Sequence, residues 1–103
     1  YPAQYNESIA IASGDSPGTK MPKSNYGFWV DLATLGDKIN STLPNNQYGA
    51  KSGTSPATAA MSGRIANLMI ANGFMDAKSI IDYFKTSGSK LSSGQLSGVY
   101  WVK

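Results

Sequence analysis

Residues 56–71, PATAAMSGRIANLMIA, limit the folds open to this chain more than any other stretch. Ala57, Ala60, Met61, Ile65, Leu68 and Met69 recur at helical spacing, and Ala59, Ala66, Ile70 and Ala71 fill the flanks. A helix apolar nearly all round needs neighbours on every side, so this one is expected to be buried. Pro56 suits the first helical position, where its fixed φ is already helical and its missing N–H has no partner to lose. The helix is therefore expected to start right after Ser55. Asn72-Gly73 ends it, because glycine can take the left-handed conformation that closes a helix.

The rest of the chain supplies layers to go with that helix. SIAIAS, 8–13, and FWVDLAT, 28–34, are short apolar runs suited to strands, the second interrupted by Asp31. KINSTL, 38–43, alternates as a half-buried strand does. Pro44-Asn45-Asn46 turns the chain, and QYGAKSG, 47–53, returns as the other arm of a hairpin. Asp76 can cap a second helix whose apolar face is Ala77, Ile80, Ile81 and Phe84. Residues 14–27 and 86–98 are rich in Gly and Ser and read as loops, and VYWVK closes the chain. No internal repeat is present. Strands first, then a buried helix, indicate an α/β layer arrangement.

Composition removes several function classes. The nine Lys and Arg residues are scattered, so the net charge of +3 forms neither a nucleic-acid stripe nor a basic membrane helix. Neither nucleic acid nor a membrane is an expected partner. No apolar run reaches membrane-spanning length. The absence of Cys excludes a disulfide framework and a thiolate metal site. The chain starts at Tyr1 rather than Met, and is expected to be processed, excised or incomplete there. Histidine, the usual general base at neutral pH, is also absent, so hydrolytic chemistry would need a base from elsewhere.

Ser55 sits between the small-residue turn Gly49-Ala50-Lys51-Ser52-Gly53 and the helix. Its ordinary role there is N-capping, with the hydroxyl accepting from a free N–H of the first turn. The other role is nucleophilic. Free N–H groups and the positive end of the helix dipole would stabilise an oxyanion beside the hydroxyl. Gly53 would let a substrate backbone come close.

Gly53-Thr54-Ser55, followed by Ala57 and Gly63, resembles the nucleophile motif of subtilisin-like serine peptidases. The likeness runs upstream through YPAQY, IAIA, Asp15, Gly27, Asp31, Gly36 and INSTLPNNQYGAKSGTS, in the order of the C-terminal part of that catalytic domain. Residues 1–103 would then be the C-terminal part of one catalytic domain. The resemblance implies that Ser55 forms the acyl-enzyme and that its own N–H supplies half the oxyanion hole. Thr54 would support that hole, and Gly49 to Gly53 would line the cleft, with Lys51 and Ser52 facing substrate. The family's catalytic Asp and His and its oxyanion Asn lie upstream of the matched region. That upstream part is thus an implied partner, along with a peptide or protein substrate.

Two departures stand out. Where the family often carries Met after the nucleophile this chain has Pro56, and Ala59 stands at a usual proline. The chemistry calls for no cofactor. A structural calcium or monovalent cation is implied at the Ala3, Tyr5 and Ser8 carbonyls with the Asp31 carboxylate. Trp29 occupies a position that is acidic in some members, and Asp31 has an alternative role bonding nearby backbone.

Two functions stay open: an endopeptidase, or a pseudopeptidase whose role is binding or regulation. A Ser/Lys hydrolase using Lys51 or Lys78 is disfavoured, because both lie in polar sequence and a lysine base must be desolvated. The sequons at Asn6 and Asn40 are compatible with the extracellular location expected of such a peptidase.

Overall fold

A computed structural model describes all 103 residues, Tyr1–Lys103. Its elements are β1 (Ile11–Ser16), β2 (Thr19–Lys20), β3 (Leu32–Leu35), β4 (Ile39–Leu43), β5 (Gln47–Lys51), α1 (Thr54–Asn72), α2 (Ala77–Ser87), β6 (Ser89–Lys90) and β7 (Tyr100–Val102). One sheet has the order β2-β1-β3-β7-β6, and β4 and β5 form a separate hairpin. The three central strands run parallel, Ile11 opposite Leu32 and Leu32 opposite Tyr100. The short edge strands β2 and β6 are antiparallel.

Strand alternation sorts the core onto two faces. Ile11, Leu32 and Val102 point towards the helices and pack with Met61, Leu68, Ile80 and Phe84. Their chain neighbours Ala12, Ala33 and Trp101 point the other way, and pack with Leu96 and Val99. A fully buried Thr34 donates its hydroxyl to the Val102 carbonyl at 2.7 Å, tying β3 to β7. Gly14 has no side chain because the Trp101 ring occupies the space: a Cβ there would lie 2.7 Å from the indole.

Several boundaries differ from the sequence expectation. Ser8 to Ala10 precede β1, and the Ser8 N–H closes a turn on the Tyr5 carbonyl instead of pairing in the sheet. Phe28 and Trp29 lie outside β3. Val30 N–H bonds the Gly27 carbonyl in a turn, and Phe28 is 94% exposed. The 86–98 segment is more than loop: α2 continues to Ser87, β6 follows, and Leu96 is completely buried against the second sheet face. Composition concealed this, because a Gly/Ser-rich stretch needs only one or two apolar anchors to cover a sheet.

Helix α2 follows its sequence signals. The Asp76 carboxylate accepts from Ser79 N–H at 2.9 Å as its cap, and Ile80 and Phe84 are buried. Helix α1 ends at Gly73, whose φ of 79° is in the glycine-favoured region and whose N–H bonds the Met69 carbonyl. Within these residues the sheet covers one side of α1, burying Ala57, Met61 and Leu68. The opposite side is open, with Ile70 83% exposed.

Candidate functional site

The start of α1 differs from expectation in a way that bears on Ser55. The helix begins at Thr54, the N-cap is Gly53, and no side chain caps it. Ser55 is therefore the second helical residue and Pro56 the third. The capping role is ruled out by this geometry. Gly53 takes φ 141° and ψ −175°, a conformation other residues rarely adopt, and so turns the chain two residues earlier than Pro56 signals. Pro56 is still accommodated, because N–H groups of a first turn lack helical partners anyway.

A backbone clip holds this turn. Gly53 N–H donates to the Gly36 carbonyl at 2.8 Å, and Gly36 N–H donates to the Gly14 carbonyl at 2.9 Å. The turn is thereby fastened to the C-terminal ends of β1 and β3. Gly36 cannot carry a side chain: a Cβ would lie 2.5 Å from the Gly53 carbonyl oxygen and 2.5 Å from the Ser13 Cβ. A second fastening comes from Ser52, whose hydroxyl donates to Asp37 at 2.8 Å and accepts from Lys38 N–H at 2.9 Å. Ser52 thus has a structural use in addition to its position beside the cleft. Sequence reasoning missed the Gly36 and Asp37 contacts. The only signal was a Gly-Asp pair directly after a strand.

Ser55 is exposed, and its side chain lines a groove of about 560 Å³ between α1 and the β4–β5 hairpin. Ile39, Leu43, Lys51, Pro56 and Ala59 also line it. Gly49 and Ala50 belong to β5, with Gly49 opposite Ser41 and Ala50 opposite Asn40. Gly49 leaves room for Leu43, whose Cδ1 would lie 2.7 Å from a Cβ there. Thr54 faces a different cavity, shared with Ala10, Asn25, Trp29 and Thr58. One site thus gathers Lys51, Ser55 and the hairpin, while Thr54 points behind it. Apart from Ser55, the groove holds none of the acid–base machinery of a triad.

Ala3, Tyr5, Ser8 and Asp31 do come together, around a pocket of about 680 Å³. Asp31 is half-buried, and its Oδ2 accepts from Ala10 N–H at 2.7 Å, the structural role foreseen as its alternative. The donor set suits a hard divalent cation poorly. One carboxylate oxygen and the Tyr5 carbonyl are already engaged, Lys78 and Lys85 line the same pocket, and no three acidic or His/Cys groups cluster anywhere in the chain. No step of the chemistry below runs through a cation.

Comparison with known proteins agrees with the fold. The structure of a cold adapted subtilisin-like serine proteinase superposes with a TM-score of 0.85 at 24% identity, over 97% of this chain and 37% of that one. The self-cleaved protease domain of PatA gives 0.76, also at 24% identity, over 96% and 40%. At those identities the likeness shows the fold alone. Sequence relatives go further. Thermitase of Thermoactinomyces vulgaris is 39% identical over 103 residues, all of this chain and 35% of that protein. Subtilisin Savinase of Lederbergia lenta is 30% identical over 98 residues, 95% of this chain and 36% of the relative. The major intracellular serine protease of Bacillus subtilis is 44% identical over 66 residues, 64% of this chain and 21% of the relative. The chain thus spans roughly a third of the length of the first two. The sequence model of the subtilase family, peptidase S8, matches residues 1–100, and this chain belongs to that family of subtilisin-like serine peptidases.

Proposed function

We propose that these residues are the nucleophile-bearing part of a subtilisin-like serine endopeptidase. Ser55 Oγ attacks the carbonyl carbon of a peptide bond and passes its proton to a histidine base. The resulting tetrahedral oxyanion is held by the Ser55 N–H together with an Asn side chain. Collapse expels the amine, which takes the proton back, and leaves an acyl-enzyme for water to hydrolyse. The histidine, its orienting Asp and the Asn come from polypeptide beyond these 103 residues, which contain no histidine at all. That polypeptide and a peptide or protein substrate are the partners in this reading.

One observation carries the proposal. Ser55 is exposed in an uncapped first helical turn, where unpaired N–H groups and the helix dipole favour developing negative charge. Lys51 lines the groove with Ser55; in this reading the rest of Gly49 to Gly53 borders the cleft and Thr54 supports the oxyanion hole from behind. No helix is long and apolar enough to cross a membrane. Extracellular action is part of this proposal, supported by exposed sequons at Asn6 and Asn40. Family membership alone leaves the compartment open, since one relative is described as intracellular.

The test is active-site labelling of the full-length protein with a phosphonylating reagent. We expect mass spectrometry to place one adduct, on Ser55. An adduct on Ser52 or Ser62 would refute the assignment. An intact fold that takes no label and cleaves nothing would favour the pseudopeptidase.

A further inference from the structure

Lys20, at the end of β2, is half-buried, and its ammonium is gathered in by backbone oxygen. It donates to the carbonyls of Met21 at 2.8 Å, Ser24 at 3.0 Å and Pro22 at 3.3 Å. An ammonium has three N–H donors, so all three are used. The Tyr26 ring covers a further side, its centroid 5.4 Å from Nζ. These contacts are made within one short stretch of chain, so the site is filled by the protein itself. Converging backbone carbonyls are the ligand set of bound cations. Contacts of 2.8 to 3.3 Å are too long for calcium, which needs about 2.3–2.6 Å, and suit an ammonium.

The loop gathered in this way holds the end of β1. Ser13 N–H donates to the buried Ser24 Oγ at 3.0 Å, and Met21 N–H donates to the Ser13 carbonyl at 2.9 Å. Gly14, the next residue, accepts from Gly36 N–H, and the Gly36 carbonyl accepts from Gly53 N–H. Lys20 therefore stands at the head of a bonded run that ends at the turn before Ser55.

We infer that Lys20 is a tethered cation: its ammonium fills a monovalent-cation site made by the 21–24 loop, and through that loop it positions the Ser55 turn. The link to Ser55 rests on that residue's proposed role, whereas the cation site does not. Lys20 is a positioning residue, acting through Ser13 and Gly36. Stripped of its ammonium, as in Lys20→Ala, the site should take a free cation of similar size and charge, such as methylammonium or potassium. Lithium, smaller and more tightly hydrated, does not match carbonyls spaced for an ammonium.

The experiment uses the full-length protein, with its melting temperature and the rate at which Ser55 takes the phosphonyl label as separate readouts. In lithium chloride, Lys20→Ala should melt roughly 5 °C below the parent, having lost its charge-assisted bonds. It should also take the label about tenfold more slowly. Potassium or methylammonium at equal ionic strength should recover about half of both losses or more, and leave the parent unchanged. Lys20→Arg keeps donors and charge, so in lithium it should stay closer to the parent than Lys20→Met, which keeps only the stem. Equal losses in all three salts would overturn the cation site, and so would Lys20→Arg melting as low as Lys20→Met. Recovery of the melt without recovery of labelling would overturn the link to Ser55. A parent protein labelled elsewhere than Ser55 would refute the nucleophile, and the melts would still decide the cation site.

Discussion

Gly36 shows how much a site can depend on a residue with no side chain. A Cβ at this position would lie 2.5 Å from a carbonyl oxygen and from another Cβ, neither of which can rotate away. Gly36→Ala must therefore push the Gly53 turn off the ends of β1 and β3, and Ser55 moves with it. A nucleophile displaced by about 1 Å can lose roughly a hundredfold in rate. In the full-length enzyme Gly36→Ala should lower kcat/KM by about that factor, while circular dichroism still shows a folded protein. Activity within twofold of the parent would mean that the clip does not set the nucleophile. That Ser55 stands at the start of a helix was legible in the sequence, through the small-residue turn and the apolar run behind it. Its exact place in the helix was not. Pro56 is compatible with the first or the third helical position, and only the positive φ of Gly53 decides between them.

At the level of elements, legibility followed the strength of the local signal. Helix α2 has a cap, an apolar face and a stop, and all three act as the sequence indicates. The parallel strands were harder, because runs such as SIAIAS and FWVDLAT fix neither their ends nor their neighbours. Asp31 marks the true limit of β3: its carboxylate accepts from Ala10 N–H, its own N–H donates to the Ala10 carbonyl, and regular pairing begins at Leu32. The cap of α2 also gives a pH dependence. Bonding from the Ser79 N–H, then from its side chain, holds the Asp76 carboxyl below its ordinary value of 3.8. A group depressed on folding stabilises fully above its unfolded value, and that stabilisation is lost as pH falls through the folded value. Asp76→Asn retains an oxygen acceptor but does not titrate. Its melting temperature should therefore fall less than the parent's as pH drops below about 3.8. Parallel acid profiles for the two proteins would show that the cap contributes nothing through its charge. Asp76 is fully exposed, so the difference will be small and best read at low salt.

At the scale of the whole molecule, the largest open surfaces are apolar. Ile70 and Phe74 are 83% and 89% exposed, and the far side of α1 has no cover. The composition of α1 calls for neighbours all round, and the structure provides them on one side only. Water against that much apolar surface weakens the fold, since burial of such surface is its main favourable term. Relatives about three times as long have the polypeptide to supply the cover. These 103 residues alone should melt with weak cooperativity, bind hydrophobic dye and fail to turn over an ester, having no histidine to act as base. Adding the remaining polypeptide, covalently or in trans, should sharpen the melt and quench the dye signal. Activity should appear only if that polypeptide carries the Asp and the His. A sharp two-state melt with burst-phase ester hydrolysis by the 103 residues alone would contradict both expectations. The base would then have to lie within the chain, and Lys51, beside Ser55 in the groove, would be the first residue to replace.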